Sequence, residues 1–365
     1  MFKTKIVIIL GFFISFNAIA QKETKQKSTF HYSGRVENLT DNKVILISSA
    51  SSVSFEFEGN SCSIYLQSFS YNHNYVSLEL DGTYIGRFRI EKHAKQSLPV
   101  IVTKNKKTHY LTIYKSTEAK NGGVLFAGTT AKVIKSYASN KKKIEFIGDS
   151  ITCGFGNDTM EIPCGTGEWF DQHNAYWAYS TIVSRSLTTD FVLSSVSGIG
   201  IYRNWNDEHK DEAIIPEVYE NLYLNKDTSK PYDFAFQPDL VSICLGTNDL
   251  SNGDEKKERL PFNEEKYISN YINFIKTVYK HAPNSRIVLL TSPMVSGNNN
   301  IILVRCLKKV IETFKNDTEH KAIALFEFEP MKPNGCGFHP DIADDKKMAE
   351  QLVPFFKKLL AEKQF

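Results

Sequence analysis

The apolar residues of this chain obey two different spacing rules, one on each side of residues 137–143, and one kind of sheet cannot satisfy both. From Ser28 to Ser136 they alternate with polar residues, as in Ser54-Phe55-Glu56-Phe57-Glu58, Ser63-Ile64-Tyr65-Leu66, Tyr75-Val76-Ser77-Leu78-Glu79-Leu80 and Tyr110-Leu111-Thr112-Ile113-Tyr114. A period of two places one face of each strand in a core and the other toward water. Glu58-Gly59-Asn60 and Asp81-Gly82 punctuate the runs, and Asp-Gly between strand-like segments is a strong hairpin cue. Residues 28–136 are therefore expected to form a β-sandwich.

After the polar, basic segment 137–143, read as a linker, the runs become continuously apolar: Ile144–Ile147, Phe191–Leu193, Leu240–Leu245, Arg286–Leu290 and Ala322–Phe326. Strands buried on both faces of a parallel sheet look like this. Amphipathic stretches lie between them, at Ala175–Leu187, Glu264–His281, Ile301–Phe314 and Lys346–Leu360, with Trp177 assigned to the core. Alternating strand and helix predicts a three-layer α/β/α domain over residues 144–365. A chain of 365 residues, 41% hydrophobic, has enough material for two such cores.

The first 20 residues read as an export signal, with Lys3 and Lys5, an apolar run from Ile6 to Phe16, and Ala18-Ile19-Ala20 as a cleavage site. The mature protein is expected to start near Gln21 and to be periplasmic or secreted. No later stretch offers the roughly 20 apolar residues of a membrane span. Net charge is only +3, and Lys141-Lys142-Lys143 is a local run, so neither nucleic acid nor membrane insertion is expected. The chain reads as a monomer.

Ligands of open α/β sheets bind beyond the carboxyl ends of the strands. Here those ends are followed by Gly148-Asp149-Ser150, by Ser197-Gly198-Ile199-Gly200, by Gly246-Thr247-Asn248-Asp249 and by Gly335-Cys336-Gly337-Phe338-His339-Pro340. Together they hold the parts of acyl transfer: a hydroxyl nucleophile in Ser150, a base in His339, and oxyanion donors in the Ser150 and Gly198 N–H groups and the Asn248 amide. Singly, each has a plainer job, with Ser150 as a helix cap and the glycines as a turn. The two glycines fail as a dinucleotide fingerprint because Arg203 takes the place of the third, so no cofactor is expected. No metal is expected either, since no carboxylate-rich cluster surrounds Asp149, Asp249 and His339.

These four blocks, in this order, resemble those of SGNH hydrolases. The fuller strings Gly148-Asp149-Ser150-Ile151-Thr152-Cys153-Gly154-Phe155-Gly156 and Ser197-Gly198-Ile199-Gly200-Ile201-Tyr202-Arg203-Asn204-Trp205 are similar to carbohydrate esterase family 2. The resemblance implies an N-terminal sandwich of jelly-roll type, a flavodoxin-like hydrolase domain, and removal of acetyl groups from plant polysaccharide or acetylated sugars. An SGNH lipase or thioesterase, or a non-catalytic carbohydrate-binding protein on the same fold, remains the alternative.

The departure is near the histidine. Where SGNH hydrolases place an aspartate three residues before the base, this chain has Cys336, and where the esterase family often has one two residues before, it has Gly337. A Ser-His dyad is expected, its imidazole Nδ1–H held by a backbone carbonyl of the Cys336-Gly337 segment. Trp169, Tyr202 and Trp205, in loops after strands, are candidate platforms for sugar rings. Cys244 and Cys306 are expected as buried thiols and Cys62 in a sandwich strand, while any two of Cys153, Cys164 and Cys336 could pair and fix the loop carrying His339.

Overall fold

A computed structural model describes residues 30–39, 43–69, 71–92, 95–103, 106–135 and 140–362. The proposed export signal and residues 137–139 of the linker lie outside the described residues.

The alternating runs form two antiparallel sheets packed face to face. One orders its strands His31–Ser33, Ser52–Glu58, Thr108–Lys115, His73–Leu80, Thr83–Glu91, with Lys132–Lys135 also paired to Ser52–Glu58. The other runs Val36–Asn38, Val44–Leu46, Val124–Thr129, Ser61–Ser68, Gln96–Ile101. Phe55, Phe57, Ile64, Leu66, Val76, Leu78, Leu111, Ile113 and Phe126 fill the space between, which is what period-two spacing requires. Asp81 and Gly82 take φ of 51° and 75° and close the hairpin between His73–Leu80 and Thr83–Glu91. Glu58-Gly59-Asn60 instead carries the chain from one sheet to the other.

The continuous runs form a parallel sheet in the order Asp190–Ser195, Lys143–Gly148, Leu240–Cys244, Arg286–Leu290, Ala324–Phe326, the doubly wound order of flavodoxin-like folds. Successive residues serve opposite layers, so no polar face is left. Ile144, Phe146, Leu240, Val288 and Leu290 pack with Val183, Met348, Leu352 and Phe356 of the helices Tyr179–Leu187 and Ile342–Ala361. Val241, Ile243, Ile287 and Leu289 pack with Tyr267, Phe274, Leu303 and Leu307 of Glu264–His281 and Gly297–Thr313. Register pairs Gly148 with both Ser195 and Cys244, and Cys244 with Leu290, so the strand ends align along one rim.

One helix differs from expectation. The stretch Ala175–Leu187 is broken at Ala178, with a single turn at Ala175–Trp177 and a helix from Tyr179. Buried Asp345 accepts the Tyr179 N–H at 2.9 Å, capping a new start from the last helix. Trp177 is half-buried, packing at the edge of the hydrolase core as expected and also meeting Tyr84 of the sandwich at 5.2 Å, which places it at the seam between domains.

Arg35 anchors that seam. Fully buried, it donates to Asn221 O (2.8 Å), Tyr219 O (2.9 Å) and Ser194 Oγ (3.2 and 3.1 Å), with its guanidinium 4.0 Å from the Tyr232 ring. Ser194 and Tyr219 hydroxyls both donate to Glu145, at 2.7 and 3.0 Å, so cation and anion are linked through one hydroxyl. Removing the cation strands a buried carboxylate, which costs about 3–5 kcal/mol. Arg35→Ala should therefore lose about 3 kcal/mol or more in urea denaturation, and a loss below about 1 kcal/mol would contradict the network.

Candidate active site

Ser150 opens the short helix Ser150–Cys153, but it does not cap it. That task falls to Asp149, whose Oδ1 accepts the Ile151 N–H at 3.0 Å. The Ser150 hydroxyl is thus released, and its Oγ lies 2.7 Å from His339 Nε2. On the far side of the ring, Nδ1 is 2.7 Å from Gly337 O. A carbonyl only accepts, so Nδ1 carries the proton and Nε2 presents its lone pair to the Ser150 O–H.

Local backbone makes this possible. Gly337 and Phe338 both have φ of 60°, folding the Gly337 carbonyl back toward the imidazole two residues on. Glycine adopts that conformation freely, whereas Phe338 does so under strain and with 87% of its surface exposed. A disulfide joins Cys336 to Cys164, 172 residues away. Cys336 N–H also donates to Gly156 O (2.9 Å), Gly335 N–H to His339 O (2.8 Å), and the Phe155 ring lies 4.3 Å from the imidazole. Of the three cysteines considered for pairing, Cys153 is left as a buried free thiol, as are Cys62, Cys244 and Cys306.

Burial lowers the His339 pKa, partly offset by backbone bonds to Gly337 and Cys336, so the ring is neutral near pH 7. The aspartates nearby are engaged elsewhere. Asp345 accepts from Asn157 and Tyr179, Asp344 from Asn334, Asp341 from the Asp344 N–H, and Asp171 pairs with His73 at 2.6 Å. Burial pushes Asp149 up to about 7 and Asp249 up to about 6. Asp249 accepts the N–H groups of Ile201, Tyr202 and Arg203, binding one rim loop to the next. Gly200 is needed there, because a Cβ would fall 2.0 Å from Arg203 O and 2.8 Å from Asp249 Oδ2. Among the described residues no group of three or more His, Cys, Asp or Glu side chains is placed to hold a metal ion.

Asn248, in the short helix Thr247–Leu250, donates from Nδ2 to Ile199 O at 2.8 Å and more loosely to Asp149 Oδ2 at 3.3 Å. It is therefore oriented between the Ser150 and Gly198 loops. Gly198 has φ of 81°, and nothing lies within 4 Å of where its Cβ would stand, so a side chain there would meet strained backbone but no neighbour.

The aromatic candidates separate. Trp169 and Trp205 are 41% and 45% exposed; Trp169 stacks on Phe155, and the Trp205 N–H donates to Gly198 O at 2.8 Å. Tyr202 does not join them, because its ring packs in the core against Phe262 and its hydroxyl accepts the Asn263 N–H. The sequence reading missed Phe155, Phe338 and His173. The first two sit inside the quoted strings beside Gly154 and His339, which was the available signal. His173 is fully buried, its ring 4.4 Å from Phe155, and burial holds it neutral. The sandwich supports this loop through Arg87 to His173 O (2.8 Å) and Ser77 to Asn174 (2.8 Å).

Residues 32–139 match the carbohydrate esterase 2 N-terminal family, and residues 146–346 match the GDSL-like lipase/acylhydrolase family. An acetylxylan esterase / glucomannan deacetylase of Cellvibrio japonicus is 27% identical over 360 residues, 95% of each chain. The cellulase/esterase CelE of Acetivibrio thermocellus is 28% identical over 90% of this chain and 39% of its own length. A solved family two carbohydrate esterase from Clostridium thermocellum, in complex with cellohexaose, superposes with a TM-score of 0.80 at 26% identity, covering 91% of this chain and 99% of that one.

Burial lowers the His339 pKa and its carbonyl partners offset this only in part, whereas a carboxylate partner would raise it. The base works when deprotonated, so kcat/KM for p-nitrophenyl acetate should rise with pH through a midpoint below the ordinary 6.5. A limb near 7 that vanishes in Asp149→Asn belongs to that carboxyl, while a limb above 6.5 that persists in that variant would show a carboxylate on His339. Consistently, Ala substitution of Asp171, Asp341, Asp344 or Asp345 in well-folded protein should spare kcat to within about tenfold, against roughly four orders of magnitude for a triad acid.

Proposed function

The chain belongs to the GDSL-like lipase/acylhydrolase family and is a carboxylic ester hydrolase, and we propose that it is an exported carbohydrate O-acetyl esterase acting through an acyl-enzyme on Ser150. The observation that carries the mechanism is the pair of 2.7 Å contacts on the two nitrogens of His339. Ser150 Oγ attacks the acetyl carbonyl as its proton passes to Nε2, and the resulting imidazolium keeps its Nδ1–H on Gly337 O. Negative charge gathers on the former carbonyl oxygen, where the Ser150 and Gly198 N–H groups and the Asn248 amide donate. The long Asn248 bond to Asp149 is the one whose proton turns to the oxyanion. Collapse breaks the ester C–O bond, and the sugar oxygen leaves with the proton from His339. Water, deprotonated by the same imidazole, then releases acetate and restores Ser150.

The relatives' names, acetylxylan esterase and glucomannan deacetylase, support the carbohydrate acetyl ester as substrate. Exposed Trp169, Trp205 and Phe338 around the dyad offer flat faces to sugar rings. Export is supported by the signal-like sequence of residues 1–20 and by the Cys164–Cys336 disulfide, which persists in oxidising compartments.

Acetate release from acetylated xylan, glucomannan and monosaccharide acetates, compared with hydrolysis of octanoyl esters, tests this reading. Acetylated carbohydrate should be turned over and octanoyl esters poorly; the reverse preference, or no turnover of any ester, would overturn it. Ser150→Ala should remove activity by several orders of magnitude without unfolding, and a variant keeping more than about a tenth of turnover would dismiss Ser150 as nucleophile. Asn248→Ala should lower kcat about a hundredfold or more with little change in KM.

A further inference from the structure

The sandwich sends one acidic side chain across the domain seam to the catalytic rim. Glu118 follows the strand Thr108–Lys115, in a segment where Lys115, Ser116, Thr117 and Glu118 are all fully buried. Its Oε2 accepts the backbone N–H of Ser197 at 2.6 Å and the thiol of Cys153 at 3.3 Å. Ser197 precedes Gly198, and Cys153 ends the helix that Ser150 begins. One oxygen atom of the sandwich thus touches both the oxyanion-side loop and the nucleophile helix.

The contact is too expensive to be mere packing. A carboxylate closed off from solvent loses several kcal/mol of hydration, and its second oxygen, Oε1, has no hydrogen-bond partner among the described residues. Two domains could be held together more cheaply by an apolar side chain of similar volume. What a carboxylate adds is a short, charge-assisted bond to one chosen N–H, roughly twice as strong as a neutral one. Lys115 lies in the same turn, its Nζ donating to the backbone carbonyls of Thr117 (3.0 Å) and Glu118 (2.6 Å), and burial brings its pKa down to about 7. The loop has further restraints, from Val196 N–H to Gly148 O (3.4 Å) and Trp205 N–H to Gly198 O (2.8 Å). Only the Glu118 bond among these comes from the other domain.

We infer that Glu118 is a positioning residue for the esterase: by fixing the Ser197 N–H against the nucleophile helix, the sandwich sets where the Gly198 donor stands relative to Ser150. This inference rests on the proposed Ser150 mechanism, and its test is arranged so the two can fail separately. A donor misplaced by a fraction of an ångström is felt in the transition state and not in substrate binding.

The experiment measures kcat and KM for p-nitrophenyl acetate, together with Tm, in wild type, Glu118→Gln, Glu118→Ala and Arg35→Lys. Arg35 is an interdomain anchor that meets the hydrolase domain at Ser194, Tyr219 and Asn221 and bonds neither Ser197 nor Gly198, so Arg35→Lys reports what weakening the seam does with the Ser197 N–H contact intact. Glu118→Gln keeps the shape and loses the charge; kcat should fall about tenfold, with KM within about twofold of wild type. Glu118→Ala should lose more of kcat. Arg35→Lys should lose Tm while keeping kcat. If kcat in Glu118→Gln stays within about twofold of wild type, or if kcat falls in Arg35→Lys as far as in Glu118→Gln for the same loss of Tm, the positioning role is wrong. Should Glu118→Ala fail to fold, Glu118→Gln alone decides. An active Ser150→Ala would instead sink the underlying mechanism and leave the Glu118 result to be read by itself.

Discussion

The bond from His339 Nδ1–H to the Gly337 carbonyl sets the demands on everything around it. A carbonyl fixes the tautomer as a carboxylate would, but it carries no full charge to steady the imidazolium or to draw the ring into line. Rigidity must then come from the frame. The turn is tied by the Cys164–Cys336 disulfide, by Cys336 N–H on Gly156 O, and by the Phe155 ring against the imidazole. Phe338, with a bulky side chain in left-handed backbone, shows that this turn is held against local preference.

The same logic extends across the seam. A sandwich serving only as a separate module would meet the hydrolase domain through a loose, mobile interface. Here its strands bury Arg35 and Glu118 among partners from the other domain, and Arg87, Ser77 and His73 hold residues 171–174 behind Trp169. Each of these residues makes at least one directional bond across the seam, which favours one relative orientation of the two domains. The β-sandwich is thereby part of the candidate site's frame.

Much of this was legible in the sequence, for physical reasons that also explain the failures. Arg286–Leu290 and Glu264–His281 are found with the same bounds in sequence and structure, because an uninterrupted apolar run and a capped amphipathic stretch each leave one solution. The dyad's carbonyl partner followed from what Cys336 and Gly337 cannot supply. The break at Ala178 did not follow, since its cause, Asp345, lies on another helix. Nor did the burial of Tyr202, whose aromatic ring serves a core as readily as a surface. Pairing of Cys164 with Cys336 spans 172 residues, and the reach of Glu118 and Arg35 crosses domains; no local pattern encodes contacts of that kind.

A covalent acetyl-serine, formed by a base that has no carboxylate behind it, is the central step of the proposed mechanism. Rapid acid quench during turnover of an acetyl ester, followed by peptide mass spectrometry, reads that intermediate directly. One acetyl group per chain is expected, on the peptide containing Ser150 and absent from the His339→Ala protein. Turnover with no acetylated peptide at any quench time, or acetyl carried on another residue in kinetically competent amount, would contradict it.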